Sequence, residues 1–467
     1  MGCMNQRKFM ELYAYALESD FQSTDREPAA WAPGHPFRWG QELDKIQLGG
    51  VGSSLSLSPD DRFLAVGVEK NIHVYSTFTR EHVETLTGHL DEVWQVFFAP
   101  RITGCGLYTL VSSAEGSIVV WELDRDGKNV SSEKNENRVD IDTISAKAAD
   151  TAIFKLVADH GWKLGGEGTK AIVEGFKTTI TRAVDIHVLE KQITLDGEFT
   201  SYGAPFSPDG QKMVYVTQNH TTQDGMRDAE TLPCVNIWDV EAKENRHHLL
   251  GHTDTIMWAA ISPDSTLVAS ISWDGTAHIW DAEDGTCLQV LGPFGGQMWS
   301  GAFSPDSKYI AISQGSPKTV VYVYNIRKAE EISRFERFRH WARSLDWSPD
   351  GKLLAVGASD SSVRVLDPYT GEEKMGWRLK FDNRLMRRFA EIQRVKFIDA
   401  GRKLMFRSSE GFTEVYDFTT NTKQQFARRA ECQLEGASYS KPICTADSSL
   451  LVISDADGVV RFWRLRE

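Results

Sequence analysis

Cysteine is scarce in this chain of 467 residues: Cys3, Cys105, Cys234, Cys287, Cys432 and Cys444 lie far apart. No Cys-x-x-Cys pair occurs, so neither a structural zinc site nor a disulfide framework is expected, and a reducing compartment, the cytoplasm or the nucleus, is. No apolar run approaches the roughly 18 residues of a membrane span, and the amino-terminal stretch lacks the apolar core of a signal peptide. Met1-Gly2-Cys3 has the look of an acylated terminus, but Gln6 stands where myristoylation needs Ser or Thr. Positive charge is also short. A net charge of -13 argues against binding DNA or an anionic membrane through an unspecific positive field. Gly-x-Ser-x-Gly, the phosphate-binding Gly-x-x-x-x-Gly-Lys-Ser/Thr and His-Glu-x-x-His are all missing. Gly165-Gly166-Glu167-Gly168 follows no strand pattern and reads as a loop. No catalytic residue, cofactor or metal ligand is therefore assigned.

What the chain has is core and repetition. A hydrophobic content of 41% with 14 Trp and 23 Phe is too rich for a disordered chain. In Leu250 to Asp281, three short apolar runs (Ile256 to Ile261, Leu267 to Ser272, Thr276 to Trp280) are divided by the turn signals Ser262-Pro263-Asp264 and Trp273-Asp274-Gly275. Successive antiparallel strands require this pattern. The first turn recurs as Ser58-Pro59-Asp60, Ala99-Pro100, Ser207-Pro208-Asp209, Ser304-Pro305-Asp306 and Ser348-Pro349-Asp350, then more weakly as Asp399-Ala400-Gly401 and Thr445-Ala446-Asp447. Most intervals are roughly 40 to 45 residues, the length of one four-stranded propeller blade.

Gly251-His252 before the first run and Trp280-Asp281 ending the third resemble the signature pairs of the WD-repeat β-propeller family. The resemblance covers about residues 43 to 465 and implies an all-β fold. It also implies a buried hydrogen-bonded tetrad of His252, Ser270, Asp274 and Trp280. By the same resemblance His89 and His340 take the tetrad His position in blades 2 and 6. Blade 2 then offers Ser112 or Ser113 with Trp121 but no Asp. Blade 6 has Asp360 with Leu366 in place of Trp, and blade 8 has Asp457 and Trp463 without Gly-His.

Eight blades are expected, with seven as the alternative if Asp399 or Thr445 marks no true blade. Outer strands are readable at Glu81 to Leu86, Lys191 to Leu195, Arg246 to Leu250, Cys287 to Leu291, Glu331 to Phe335, Lys374 to Leu379 and Lys423 to Ala427. The eighth is supplied by Asp44 to Leu48, which should pair with the last blade and close the ring. Residues 1 to 42 precede the propeller. They comprise an amphipathic helix over 5 to 18 (Phe9, Leu12, Tyr13, Ala16, Leu17) and a Pro- and aromatic-rich arm, Trp31 to Trp39, lying against the body. Residues 125 to 188 read as a partly helical insertion after blade 2, on the bottom or side. The long loop 218 to 233 should rise from the top face, which carries second-to-third-strand loops and blade-to-blade loops.

Against the acidic balance, residues 327 to 343 and 384 to 396 are net basic. Arg327, Lys328, Arg334, Arg337, Arg339 and Arg343 lie in the first, Arg384, Arg387, Arg388, Arg394 and Lys396 in the second, and Arg428-Arg429 adds a third group. All are placed at blade-to-blade junctions on the top face. With Trp341, Met386 and Phe389 interleaved they form the Arg-aromatic surface that interaction hot spots favour. The expected function is a non-catalytic scaffold. It would bind acidic or phosphorylated segments of partner proteins through Arg339, Trp341, Arg343, Arg384, Arg387, Arg388, Arg428 and Arg429. A propeller hydrolase, or an RNA-binding component using the same face, is the alternative; neither a DNA nor a membrane partner is expected.

Overall fold

The computed structural model describes residues 29–130, 170–179, 192–218, 232–378, 391–409, 411, 413–427 and 440–465. The helix expected over 5 to 18 lies outside them, as does most of the insertion, of which residues 170–179 form a helix. Strands of the described residues assemble into eight sheets, six of them four-stranded. Successive sheets pack on one another through shared apolar clusters, and Gly52–Leu57 of blade 1 meets Ile443–Cys444 of blade 8, so the array is a closed eight-bladed propeller. The second strands are buried throughout, as in Phe63–Val68 and Leu354–Ala358, because each blade is sandwiched between two others.

The Ser-Pro-Asp turns share one local mechanism. In Ser262-Pro263-Asp264 the Ser hydroxyl donates to Asp264 Oδ1 at 2.6 Å and accepts the Leu267 N–H at 2.9 Å. The same clamp recurs at Ser58/Asp60, Ser207/Asp209, Ser304/Asp306, Ser348/Asp350 and Thr445/Asp447. A side chain that satisfies the turn's own backbone makes the reversal independent of what lies around it.

One turn departs from expectation, and another keeps the expected reversal in a different form. At Ala99-Pro100 there is no reversal: the strand Gln95–Ile102 runs through, and the chain turns at Thr103–Gly106. The physical reason is that Arg101 follows Pro100, so no Asp is available to clamp the turn. Asp399–Gly401 instead forms a short 3-10 turn with Asp399 and Ala400 left-handed. Blade 3 is also short of an inner strand: its edge toward the channel is held by the bridges Glu198↔Val216 and Phe206↔Met213. Gly203 explains the irregular path, since a Cβ there would stand 2.1 Å from the Ala259 carbonyl oxygen, closer than a regular strand with side chains allows.

Asp44–Gln47 is the outer strand of blade 8, antiparallel to Val459–Arg464. Ring closure by this amino-terminal strand is as the strand pattern requires. The aromatic arm does more than lie on the surface: Ala30–Trp31 and Phe37–Arg38 add in parallel to Thr422–Ala427, so blade 7 carries an extra edge strand. Phe37 stacks on Trp463 with centroids 6.2 Å apart, tying that strand to blade 8.

Candidate functional site

The tetrad of blade 4 fixes how the top-face loops are held. Trp280 Nε1–H donates to Ser270 Oγ at 3.0 Å, and the Ser270 hydroxyl donates to His252 Nε2 at 2.8 Å. The His252 Nδ1–H is then left for Asp274 Oδ2, also at 2.8 Å, because a carboxylate can only accept. Burial alone would raise the Asp274 pKa, but hydrogen bonds from His252 and Thr276 outweigh it and hold the carboxyl well below its usual range. In blade 2 the partner of His89 and Trp121 is Ser112, at 2.6 and 2.8 Å.

Blade 6 corrects the sequence assignment. His340 is exposed and is no tetrad residue. The Arg339 N–H donates to Asp360 Oδ2 as the Thr253 N–H does to Asp274 Oδ2, so buried Phe338 takes the place of His252. With Leu366 replacing Trp280 there is no indole to anchor, and an apolar ring fills the space. In blade 8, Asp457 pairs with Arg461, whose guanidinium lies 3.7 Å from the Trp39 ring centre.

Five inner strands carry a bulge at their second residue: Ser53, Met257, Trp299, Arg343 and Gln393. A bulge re-aims the side chain at its position. Arg343 there lies 4.7 Å from the Trp299 ring centre and 5.8 Å from that of Trp341. The two indoles meet edge to face at 4.5 Å. Arg343 Nε donates to Ser359 Oγ at 2.7 Å and Nη2 to Glu391 Oε1 at 3.1 Å. His340, Trp341, Arg343, Ser359 and Glu391 line an open cleft of about 230 Å³ between blades 6 and 7. Arg337 and Arg339 beside it are exposed, and among the described residues no carboxylate lies within ion-pair distance of either.

Of the residues singled out in the sequence, Trp341 and Arg343 come together here, while Arg339 is exposed and is not part of the cleft lining. Arg384, Arg387, Arg388, Arg428 and Arg429 lie outside the described residues, as do Met386 and Phe389. Two placements are corrected. Arg327 and Lys328 sit in the turn between the third strand Val320–Asn325 and the outer strand Glu330–Phe335, hence on the opposite face. Arg394 and Lys396 belong to the inner strand Ile392–Ile398 rather than to a blade junction. Trp299 and Tyr202 were not foreseen. Trp299 was within reach, because it follows Met298 as Arg343 follows Ala342, at the same distance from the Ser-Pro-Asp turn. Tyr202 gave no signal: it comes from the irregular segment of blade 3. Burial pushes its phenol pKa up, while Arg343 beside it pulls the other way.

Residues 243–281 match the family model of the WD domain, G-beta repeat, and residues 301–400 that of the anaphase-promoting complex subunit 4 WD40 domain. The chain is a WD-repeat β-propeller. Among curated proteins this WD-repeat chain is 31% identical over 137 residues to small ribosomal subunit protein RACK1y of Oryza sativa subsp. japonica, covering 28% of this chain and 40% of that protein. It is 28% identical over 166 residues to small ribosomal subunit protein RACK1 of Neurospora crassa, covering 34% and 49%. The chain thus spans less than half the length of the curated relatives it matches. Among solved structures, Chaetomium thermophilum Sqt1 bound to the N-terminus of the ribosomal protein L10 superposes with a TM-score of 0.60 at 15% identity, over 91% of this chain and 99% of that one. Saccharomyces cerevisiae Sqt1 gives a TM-score of 0.60 at 12% identity, over 91% and 99%. Likeness at that identity concerns the fold. Among the described residues no three His, Cys, Asp or Glu side chains gather as a metal ion would need, and no helix is long and apolar enough to cross a membrane.

Proposed function

We propose that this WD-repeat propeller is a non-catalytic protein-interaction scaffold whose top-face cleft between blades 6 and 7 receives an acidic or phosphorylated segment of a partner protein. The observation that carries the reading is the cleft itself: two indoles and a guanidinium fixed against each other, with exposed Arg337, Arg339 and His340 at the rim. Rigid aromatic and Arg side chains lose little entropy on binding and suit a hot spot. Glu391 neutralises Arg343, so the attraction for an acid comes from the rim and the cleft wall supplies the apolar contact. A propeller of similar fold, Sqt1, is seen bound to the N-terminus of the ribosomal protein L10, which supports a segment of a partner chain as the form of the ligand. The cytoplasm is the compartment we assign, in keeping with ribosomal relatives.

Fluorescence anisotropy of labelled poly-glutamate and phosphoserine peptides against the full chain tests this. The double variant Arg339→Glu, Trp341→Ala should bind at least about tenfold more weakly than the native protein. Equal affinity for the two proteins would end the proposal. Binding of an RNA oligomer with a steep salt dependence, where the acidic peptides fail, would put an RNA partner in its place.

A further inference from the structure

The inner strands of blades 6, 7 and 8 carry an uneven set of charges into the channel. Arg394 and Lys396 alternate with buried Val395 and Phe397 along Ile392–Ile398; the latter pack on blade 6, so Arg394 and Lys396 leave on the opposite face of this inner strand, toward blade 8. The neighbouring strand of blade 6 is locked to this one by side chains. Ser344 Oγ accepts the Val395 N–H at 3.1 Å, and Asp346 Oδ2 accepts the Phe397 N–H at 2.6 Å. From blade 8, the Lys441 ammonium donates to the Ser201 carbonyl and lies 5.4 Å from the Tyr202 ring centre.

Three basic side chains therefore share this region with one carboxylate. Among the described residues, Asp346 is the acid that acts on Arg394 and Lys396, and Glu391 is already paired with Arg343. Solvent reaches Lys396 inside the ring, yet the surrounding strands strip away most of the water that would stabilise these charges. The titrations carry the imprint. Burial, and then repulsion from Arg394, pushes Lys441 down to about 7. Burial pushes Asp346 up to about 6 despite the Phe397 N–H and the two cations beside it. Cys444, pushed up to about 11 by burial, stays a neutral thiol and adds no negative charge. Arg394 Nε is buried without a hydrogen-bond acceptor among the described residues. An arrangement of like charges with a spare donor lacks a counter-ion.

The space also has a roof. Thr200–Gly203 crosses from blade 3 to reach Lys441 of blade 8, with Thr200 Oγ1 accepting the Ala259 N–H at 3.2 Å on the way. Tyr202 stands beside Arg343 and Trp299 and also beside Arg394 and Lys441.

We propose that Arg394, Lys396 and Lys441 form a channel site for a small phosphate-bearing anion, separate from the top-face cleft. A guanidinium fork and two ammonium groups match a tetrahedral oxyanion with more than one negative charge. Such a ligand offsets the excess positive charge and gives the Arg394 Nε–H an acceptor.

Isothermal titration calorimetry with tripolyphosphate and with inorganic phosphate, at matched ionic strength, tests the site on the full chain. Saturable binding of either to the native protein is expected, weakened about tenfold or more by Arg394→Gln and by Lys441→Gln, since each removes a charge-assisted hydrogen bond. Asp346→Asn should tighten binding, because it removes the opposing carboxylate. A variant that merely misfolds would weaken it, so the opposite signs separate recognition from structural damage. Trp341→Ala should leave anion binding as it was, which keeps the outcome apart from that of the cleft. No saturable binding by the native protein, or equal binding by Arg394→Gln, would overturn the proposal.

Discussion

Ile46 lies directly across from Val460, in the antiparallel ladder that joins the amino-terminal strand to the third strand of blade 8. Its side chain is 5% exposed and packs among Leu64, Val66, Val452 and Phe462, so one residue bridges blades 8 and 1. Ile46→Ala should cost about 2 to 5 kcal/mol, the range for a large-to-small change in a core. Removing residues 1–48 should do more, leaving Val459–Arg464 as an unpaired edge that promotes association. Urea unfolding and light scattering check both, and a truncated chain that stays monomeric with an unaltered midpoint would contradict the closure argument.

Ser270 accepts from Trp280 and donates to His252 at once, and its loss strands both partners. Ser270→Ala leaves the Trp280 N–H and His252 Nε2 buried and unsatisfied, for which about 2 to 4 kcal/mol of destabilisation is expected. Ser112→Ala should act in the same way in blade 2. Ser359→Ala in blade 6 touches no tetrad, since Val356 stands where Ser270 does; it removes only the partly buried acceptor of Arg343 Nε and should cost much less, about 1 kcal/mol. Denaturation midpoints of the three variants decide it, and equal losses would show that the tetrad carries no special weight.

These contrasts mark how far the sequence can be read. The blade count was legible because the Ser-Pro-Asp clamp is closed within a few residues and needs no tertiary context. Its failure at Ala99-Pro100 was legible too, in hindsight, from Arg101 where the clamp needs Asp. Blade 6 was misaligned by two residues, from Phe338 to His340, since with Leu366 in place of Trp only the tertiary bond from Arg339 to Asp360 sets the register. The channel cluster was hidden for a different reason. Arg394 and Lys396 read as the tail of a basic loop, and their neighbours Asp346, Lys441 and Tyr202 come from three other blades that only ring closure brings together.

Acid should unfold this protein through its buried histidines. Burial pushes His89 down to about 4, and burial together with the stacked His252 does the same to His278 against the opposing Asp274. The unfolded chain takes up these protons near 6.5 and the folded one does not. Stability is therefore full above that value, falls as pH drops through the interval to about 4, and levels below it, losing on the order of 1 to 3 kcal/mol per histidine. Asp346, raised to about 6, works in the opposite direction between 6 and 3.8, so the Asp346→Asn background isolates the effect. Urea midpoints measured from pH 7 to 4 should fall less steeply in His278→Gln, and an unchanged slope would rule out that residue as a contributor.

Gly203 sets the path of the segment that roofs the channel. A methyl group there would meet the Ala259 carbonyl oxygen at 2.1 Å and Thr200 Oγ1 at 2.6 Å, and backbone on the far side cannot yield as a flexible side chain would. Gly203→Ala must therefore push Thr200–Gly203 away from blade 4, at a cost of about 1 to 3 kcal/mol. The Thr200 bonds to Ala259 are the first to go, and with them the anchor that holds Tyr202 beside Arg343. The tetrad of blade 4 does not touch this segment and should keep its geometry. Hydrogen exchange should then rise at Thr200 to Gly203 and at the Ala259 amide, while the Leu267–Ser272 amides stay protected. Protection retained at Ala259 in the variant would mean that the crossing segment accommodates a side chain without moving.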